Sequence, residues 1–142
     1  MVIAAAQYNY TLDNPFTAGE RVEMIKLGLG DLYAKIYIIP VDNIPSNYLW
    51  PRRVLEYTPR VDTVFTNNKF VQELFKIHGV VTRETPLLPG VSGSIIRKLM
   101  AENGEWQSLV PRRVAEYIRE INGVERVKLL WEFSVKIPGE RF

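Results

Sequence analysis

The stretch "VDTVFTNNKFVQELFKIHGVVTRE", residues 61–84, decides the class of fold. VDTVF (61–65) is a short β-branched and aromatic run and predicts a strand. NNKFVQELFKIHG (67–79) carries Phe70, Leu74 and Ile77 at helical spacing, with Gly79 as its stop, and predicts a helix with those three on one face. VVTRE (80–84) predicts a second strand. Strand, helix and strand in close succession make a crossover connection, so the two strands run parallel.

The same alternation extends outward. Upstream, VIAAA (2–6) suits a buried strand, although its alanines equally allow a helix. TAGERVEMIKLGLG reads as a helix. Thr17 is its N-cap, Glu20 three residues later completes a capping box, and Val22, Ile25 and Leu29 follow at helical spacing until Gly28 and Gly30 end it. KIYIIPV (35–41) predicts a strand, and NYLWPRRVLEY (47–57) a short helix entered at Pro51. Downstream, a helix runs from Ser92 to about Ala101, and PRRVAEYIREI (111–121) forms another, closed by Asn122-Gly123. The tail VKLLWEFSVKIPGERF alternates β-branched and aromatic residues and is expected to add a strand or an oligomer contact. The fold class is therefore α/β, a doubly wound parallel sheet with helices on both faces.

Composition sets bounds. A chain of 142 residues is one domain by length, and 46% hydrophobic with 24% charged residues is ordinary for a globular protein. There is no cysteine, which removes disulfides and thiolate metal sites and fits a cytoplasmic setting. A net charge of +2 is too small to argue for nucleic acid, and no apolar run approaches a membrane span. MVIAAAQ has neither a charged leader nor a cleavage pattern, and it enters an apolar run as if in mid-strand.

Ligands of open parallel sheets sit beyond the carboxyl ends of the strands, where helices begin. Four such places carry suggestive residues. In GVSGSIIRKLM (90–100), Ser92 opens a helix whose free N–H groups attract anions. Gly93 admits a ligand to the backbone, Ser94 adds a donor, and Arg97 can fold back as a planar fork for phosphate oxygens. A helix capped by Ser92 with a solvated Arg97 fits these residues equally well. In TLDNPFTAGER, Gly19 and Arg21 lie near the same sheet edge, as an anion contact or as part of a capped helix with a surface arginine. In NYLW (47–50), Asn47 and Trp50 can offer an amide and a flat face to an aromatic base, or Trp50 belongs to the core. In FTNNK (65–69), the amides after the strand can read a purine edge, or Asn67 or Asn68 caps the next helix.

Other chemistry finds no footing. His78, the single histidine, sits at a helix C-terminus, where the dipole favours it as a structural residue. There is no metal-binding histidine pair, G-x-S-x-G elbow, Walker loop or G-x-G-x-x-G fingerprint, and no metal ligands are assigned. PRRVLEY (51–57) recurs as PRRVAEY (111–117), placing arginines at helix N-termini, the electrostatically unfavourable end. They are exposed turns, or at least one pair faces an anion.

With these sites in order, the chain resembles the archaeal-type nicotinamide-nucleotide adenylyltransferases of the H-x-G-H nucleotidyltransferase superfamily. The resemblance runs from about residue 2 to about residue 127 and is most specific at NPFTAGER (14–21). NYLW matches the family's N-x-x-W, VFTNN its strand-end loop, SGSIIR its variant of the ISSTxxR signature, and LVPRRVAEYIREINGVERV its C-terminal helix. The resemblance implies a Rossmann-like domain over residues 1–127 with a C-terminal extension over 128–142. It implies adenylyl transfer from ATP to nicotinamide mononucleotide, giving NAD and pyrophosphate, assisted by Mg²⁺. Ser92, Gly93, Ser94 and Arg97 would hold the ATP phosphates, with Ser94 and Arg97 serving catalysis. Thr66 and Asn67 would lie near the adenosine, and Arg21, Asn47 and Trp50 would serve the mononucleotide. A homo-oligomer is expected, with no nucleic acid or membrane partner.

One departure is large. The family opens with a strand, a G-R-F-x-P-x-H-x-G-H turn and a helix, and the chain shows no such segment. The expectation is a Rossmann-like sheet whose usual first, central strand and first helix are absent, leaving unpaired backbone between its neighbours. His78 matches neither family histidine. The alternative function is a non-catalytic module that binds ATP or NAD; a nucleic-acid binder using the PRR turns is a third reading.

Overall fold

The computed structural model describes residues 1–137. Its elements alternate from the start: β1 (Val2–Ile3), α1 (Ala18–Leu29), β2 (Ile39–Pro40), α2 (Trp50–Tyr57), β3 (Thr63–Phe65), α3 (Lys69–Ile77), β4 (Val81–Arg83) and α4 (Gly93–Ala101). Helices α5 (Arg112–Glu120) and α6 (Gly123–Glu132) close the described chain. Both strand pairs are parallel: β1 with β2, Val2 opposite Ile39, and β3 with β4, Val64 opposite Thr82. The fold is mixed α/β with small parallel sheets, compatible with a Rossmann-like architecture.

Local chemistry sets the helix ends. Thr17 Oγ1 accepts from the Glu20 N–H while a Glu20 carboxylate oxygen accepts from the Thr17 N–H, the reciprocal box read from the sequence. Asn68 caps α3 and Ser92 caps α4, each accepting an N–H three residues on. Gly30 ends α1 at φ +55, a value glycine adopts without steric cost.

Two apolar clusters form. One joins Met100, Trp106, Val114, Ala115, Ile118 and Val127 from α4, α5, α6 and the loop after α4. The other joins Val41, Val54 and Phe75, with Ile39, Trp50, Val64 and Val71 packed around them.

Three expectations are corrected, and the face that α1 turns to the core is defined. The strands are shorter than their apolar runs: β1 stops at Ile3, because Ala5 turns to φ +53, and residues 30–35 form a 3-10 turn where the second strand was to begin. On α3 the core face is set by Gln72, Leu74 and Phe75, whereas Phe70 and Ile77 are 58% and 61% exposed. Gln72 is buried because its amide donates to the Thr66 carbonyl at 2.8 Å and to Glu84. On α1, Met24 and Leu27 meet the first core cluster, while Val22, Ile25 and Leu29 are half-buried. Finally, the front of the tail is helix, not strand. Val127 and Leu130 lie three apart on α6 and both are buried, so α6 continues the core across the expected boundary at 127/128. The remainder of that expectation, residues 138–142, lies outside the described residues.

Candidate functional site

The opening of α4 is the most developed polar site. Ser92 Oγ accepts from the Ile95 N–H at 3.2 Å, which holds the first turn in register. Gly93 and Ser94 are exposed, so the amide-rich end of the helix is open. The Arg97 guanidinium folds back over that end. It donates to Ser94 Oγ at 3.4 Å, and its Nη1 stands 3.0 Å from where a Cβ on Gly93 would lie. Its side chain is 23% exposed, so it is turned neither into the core nor freely into water. Asp13, from the loop before α1, approaches it at 3.7 Å. A guanidinium and a helix N-terminus thus converge on one solvent-facing point, an arrangement that suits phosphate oxygens. Asp13 had no signal in the sequence reading; only the fold brings its loop to α4.

Arg21 is used differently from a free anion contact. Its guanidinium donates to the carbonyls of Ala4, Ala5, Ala6 and Tyr8 at 3.1 to 3.3 Å, and Nε donates to the Thr17 carbonyl. It therefore shapes the loop that leaves β1. Burial pushes its pKa down without threatening its charge. That loop is fixed at its other end by Arg126 of α6, which pairs with Glu20 and donates to the Pro15 carbonyl. The Tyr10 ring lies 4.4 Å and the Phe16 ring 5.6 Å from the Arg126 guanidinium carbon. Gly123 is required here, since a Cβ would stand 2.9 Å from both Phe16 and the Ile118 carbonyl oxygen. NPFTAGER is thus a framework for the loop that presents Asp13.

Of the remaining candidates, Thr66 and Asn67 follow β3 directly, whereas Trp50 opens α2 with Asn47 three residues before it. Trp50 and Thr66 line one cavity of about 720 Å³. Trp50 packs edge-on to Phe75 at 6.0 Å, and its indole N–H is buried with no acceptor. Asn47 is exposed, and its carbonyl accepts the Trp50 N–H at 3.3 Å. The Asn67 side chain is already committed: its amide donates to the carbonyl and hydroxyl of Thr85, and its oxygen accepts the Thr85 N–H. It ties off the end of the β3–β4 pair, while Asn68 does the capping. His78 donates from Nε2 to the Tyr48 carbonyl at 2.6 Å and rests against the Tyr48 ring, anchoring the segment that precedes Trp50. Among the described residues, no hydrogen bond or ion pair joins the α4 opening to the Trp50–Thr66 cavity.

The PRR turns are resolved individually. Arg112 pairs with Glu116 one turn on, and Arg53 lies over the Tyr57 ring at 4.6 Å. No helix among the described residues is long and apolar enough to cross a membrane.

No family model matches the chain. Individual relatives do. A nicotinamide-nucleotide adenylyltransferase of Methanolobus tindarius is 43% identical over 128 residues, 89% of this chain and 74% of the relative. Those of Methanothrix thermoacetophila and Thermococcus onnurineus are 44% and 42% identical, over 75% and 71% of their own lengths. The chain belongs to the nicotinamide-nucleotide adenylyltransferase family. Placed in that family, SGSIIR corresponds to the α4 opening described above, and NPFTAGER to the loop framework held by Arg21, Glu20 and Arg126. As an adenylyltransferase relative, the chain has an open helix start with a folded-back guanidinium at Ser92–Arg97.

Proposed function

We propose that the chain binds ATP and nicotinamide mononucleotide and joins them into NAD and pyrophosphate. Family membership supports the reaction class. The single observation that carries the site is the Arg97 guanidinium folded over the open first turn of α4.

In this reading a phosphate oxygen of the mononucleotide attacks the α-phosphorus of ATP. A new P–O bond forms as the bond to the bridging oxygen breaks, and pyrophosphate leaves with the electron pair. The chain's part is positioning and charge neutralisation rather than covalent chemistry. The N–H groups at the start of α4, the Ser94 hydroxyl and Arg97 face the β- and γ-phosphates, where charge builds as the bond breaks. Ser92 holds that turn open, and Gly93 keeps the approach clear. Trp50 offers its indole face to nicotinamide, with Asn47 beside it. Arg21 serves the mononucleotide through the loop it grips. Thr66 and Asn67 border the adenosine through the loop that Thr85 fixes.

Mg²⁺ is normally held by one or two carboxylates together with substrate phosphates. No group of three potential metal-ligating side chains converges among the described residues, so there is no dedicated cage. Asp13, 70% exposed beside Arg97, suits an ion carried in on ATP. When bound, that ion would supply charge neutralisation at the phosphates. A cytoplasmic homo-oligomer is part of the same proposal.

A second reading is a module that binds ATP or NAD without turnover. It is favoured by His78, whose Nε2 is committed to the Tyr48 carbonyl and so serves no phosphate. Incubating the chain with ATP, Mg²⁺ and nicotinamide mononucleotide separates the two. NAD formation supports transfer, and calorimetric ATP binding without NAD supports the module. Absence of ATP binding at about 1 mM overturns both.

A further inference from the structure

The exit of α6 reaches the loop that carries Asp13. Two hydrogen bonds fold that exit: Ser134 donates to the Trp131 carbonyl at 3.2 Å and Val135 to the Leu130 carbonyl at 3.0 Å. These are the paired bonds of a Schellman turn, and they put Ser134 where such turns commonly hold glycine. Ser134 has φ +50, in the left-handed region that a Cβ makes costly. It is exposed, so burial does not offset that cost. The turn reverses the chain, and the Val135 carbonyl then accepts the Leu12 N–H at 2.7 Å.

Leu12 belongs to a closed turn. The Thr11 N–H donates to the Asn14 carbonyl and Thr11 Oγ1 accepts the Asn14 N–H, both at 3.2 Å, so residues 11–14 move together. Thr11 is buried, while Asp13 is 70% exposed and stands 3.7 Å from the Arg97 guanidinium. An exposed pair at that distance holds little by itself. The place of Asp13 therefore depends on what holds its turn. Arg21 grips carbonyls from Ala4 to Tyr8, and Arg126 the Pro15 carbonyl. Between those two holds, the Val135 carbonyl ties Leu12 to α6. Leu130, which anchors the Schellman turn, is buried in the core.

We infer that the Schellman turn after α6 is a positioning element for nucleotide binding. Through the Leu12–Val135 hydrogen bond it fixes the Asp13 carboxylate beside Arg97, and so sets how strongly that carboxylate competes with ATP phosphates for the guanidinium. The inference rests on the assignment of those phosphates to the α4 opening. Ser134 and Val135 act through Leu12 and Asp13 and need not touch the ligand. The stretch from 128 onward, read from the sequence as an extension, thereby gains a part in the site.

The test uses the full chain in Mg²⁺-free buffer. Ser134→Val puts a β-branched residue at a positive φ and opens the turn, whereas Ser134→Gly suits the turn. In Ser134→Val, amide exchange at Leu12 should be about tenfold faster. ATP binding, read by equilibrium dialysis, should tighten about two- to fivefold, as it does when the charge on Asp13 is removed. That gain should vanish in an Asp13→Asn background, because the carboxylate that the turn positions is then gone. A turn that served stability alone would speed exchange without changing affinity through Asp13. Ser134→Gly should slow exchange at Leu12 and should not tighten ATP. The natural chain gives a reading that needs no variant to fold. Linkage is reciprocal, so saturating ATP should speed exchange at Leu12 by the same two- to fivefold or so.

The inference is overturned if exchange at Leu12 in the natural chain is unchanged or slowed by ATP. It is equally overturned if Ser134→Val leaves ATP affinity unchanged, or tightens it as much when Asp13→Asn is present. Equal tightening by Ser134→Gly would also overturn it. In each of these cases, weaker ATP binding by Arg97→Ala would leave the phosphate assignment standing. ATP affinity indifferent to both Arg97→Ala and Asp13→Asn would overturn that assignment, and this inference with it.

Discussion

Glu20 and Arg126 stand 106 positions apart in the chain and meet through two hydrogen bonds, of 2.6 and 2.9 Å. The pair is largely buried, with side chains 18% and 10% exposed. Glu20 thereby has two tasks, since the same carboxylate completes the capping box of α1. The pair ties α1, the loop before it and α6 into one unit, and that unit presents Asp13 to Arg97. Replacing Arg126 with methionine keeps much of its bulk over Tyr10 and Phe16 but leaves the carboxylate unpaired. The expected loss is about 2 kcal/mol in denaturant unfolding, from hydrogen bonds to charged groups. Restoration by Arg126→Lys should be partial, because an ammonium cannot form the fork.

The same pair sets a pH dependence. The hydrogen bond from Arg126 holds the Glu20 carboxyl below its ordinary value of 4.5. A depressed folded-state pKa means that the unfolded chain binds the proton first. The stabilisation is therefore fully present above about pH 4.5 and is lost as pH falls through the folded-state value. Unfolding free energy measured below pH 4.5 should fall more steeply for the natural chain than for Arg126→Met. Parallel curves would remove Glu20 from the acid response.

Asp13 faces the guanidinium that the proposal assigns to ATP. In the absence of Mg²⁺ its charge opposes the polyphosphate, and Asp13→Asn should tighten ATP binding by about two- to fivefold, since exposed charge pairs contribute up to about 1 kcal/mol. The gain should shrink at high salt. Arg97→Ala should weaken ATP by about ten- to a hundredfold, the value of charge-assisted hydrogen bonds. Equilibrium dialysis with labelled ATP reads both.

The features legible in the sequence are those in which a residue acts on its own neighbourhood. Thr17 with Glu20, Ser92 and the Asn67–Asn68 pair announce helix starts because a cap bonds an N–H two or three residues on. Parallel pairing was legible because strand, helix and strand leave few topologies. The misreadings lie where distant residues decide. Phe70 and Ile77 fit a core stripe by spacing, but the hydrogen bonds of Gln72 to Thr66 and Glu84 turn the other face of α3 inward. VKLLWEF satisfies both a strand's alternation and a helix's spacing, and packing of Val127 and Leu130 selects the helix. At the site, Arg97 folding back was legible from one turn of helix. Asp13 was not, and nothing near Arg21 announced that its donors go to main-chain carbonyls.

Asn67 offers a separate test of loop order. Its side chain makes three hydrogen bonds to Thr85 and so closes the end of β3–β4. Asn67→Ala should destabilise the chain by about 1–2 kcal/mol and speed amide exchange at Thr85. Asn67→Asp keeps the acceptor for the Thr85 N–H but loses the donors, and should fall between. If Asn67→Ala left exchange at Thr85 unchanged, the hydrogen bonds would not be holding the loop.

Gly93 separates stability from ligand binding most sharply. It sits in the first turn of α4 at a position that alanine tolerates well in a helix, and its φ is not in the left-handed region. A Cβ there would meet only the Arg97 Nη1, at 3.0 Å, the far end of a flexible side chain. Gly93→Ala should therefore leave thermal stability unchanged or slightly raised, since alanine is favoured over glycine in helices by up to about 1 kcal/mol. The methyl would also stand where a phosphate approaches the amides, and it would displace the guanidinium from its folded-back position. ATP affinity should then drop about tenfold or more, toward that of Arg97→Ala, and the double variant should lose less than the two single losses combined. Unchanged ATP affinity in a stable Gly93→Ala protein would mean that phosphates do not lodge at this turn.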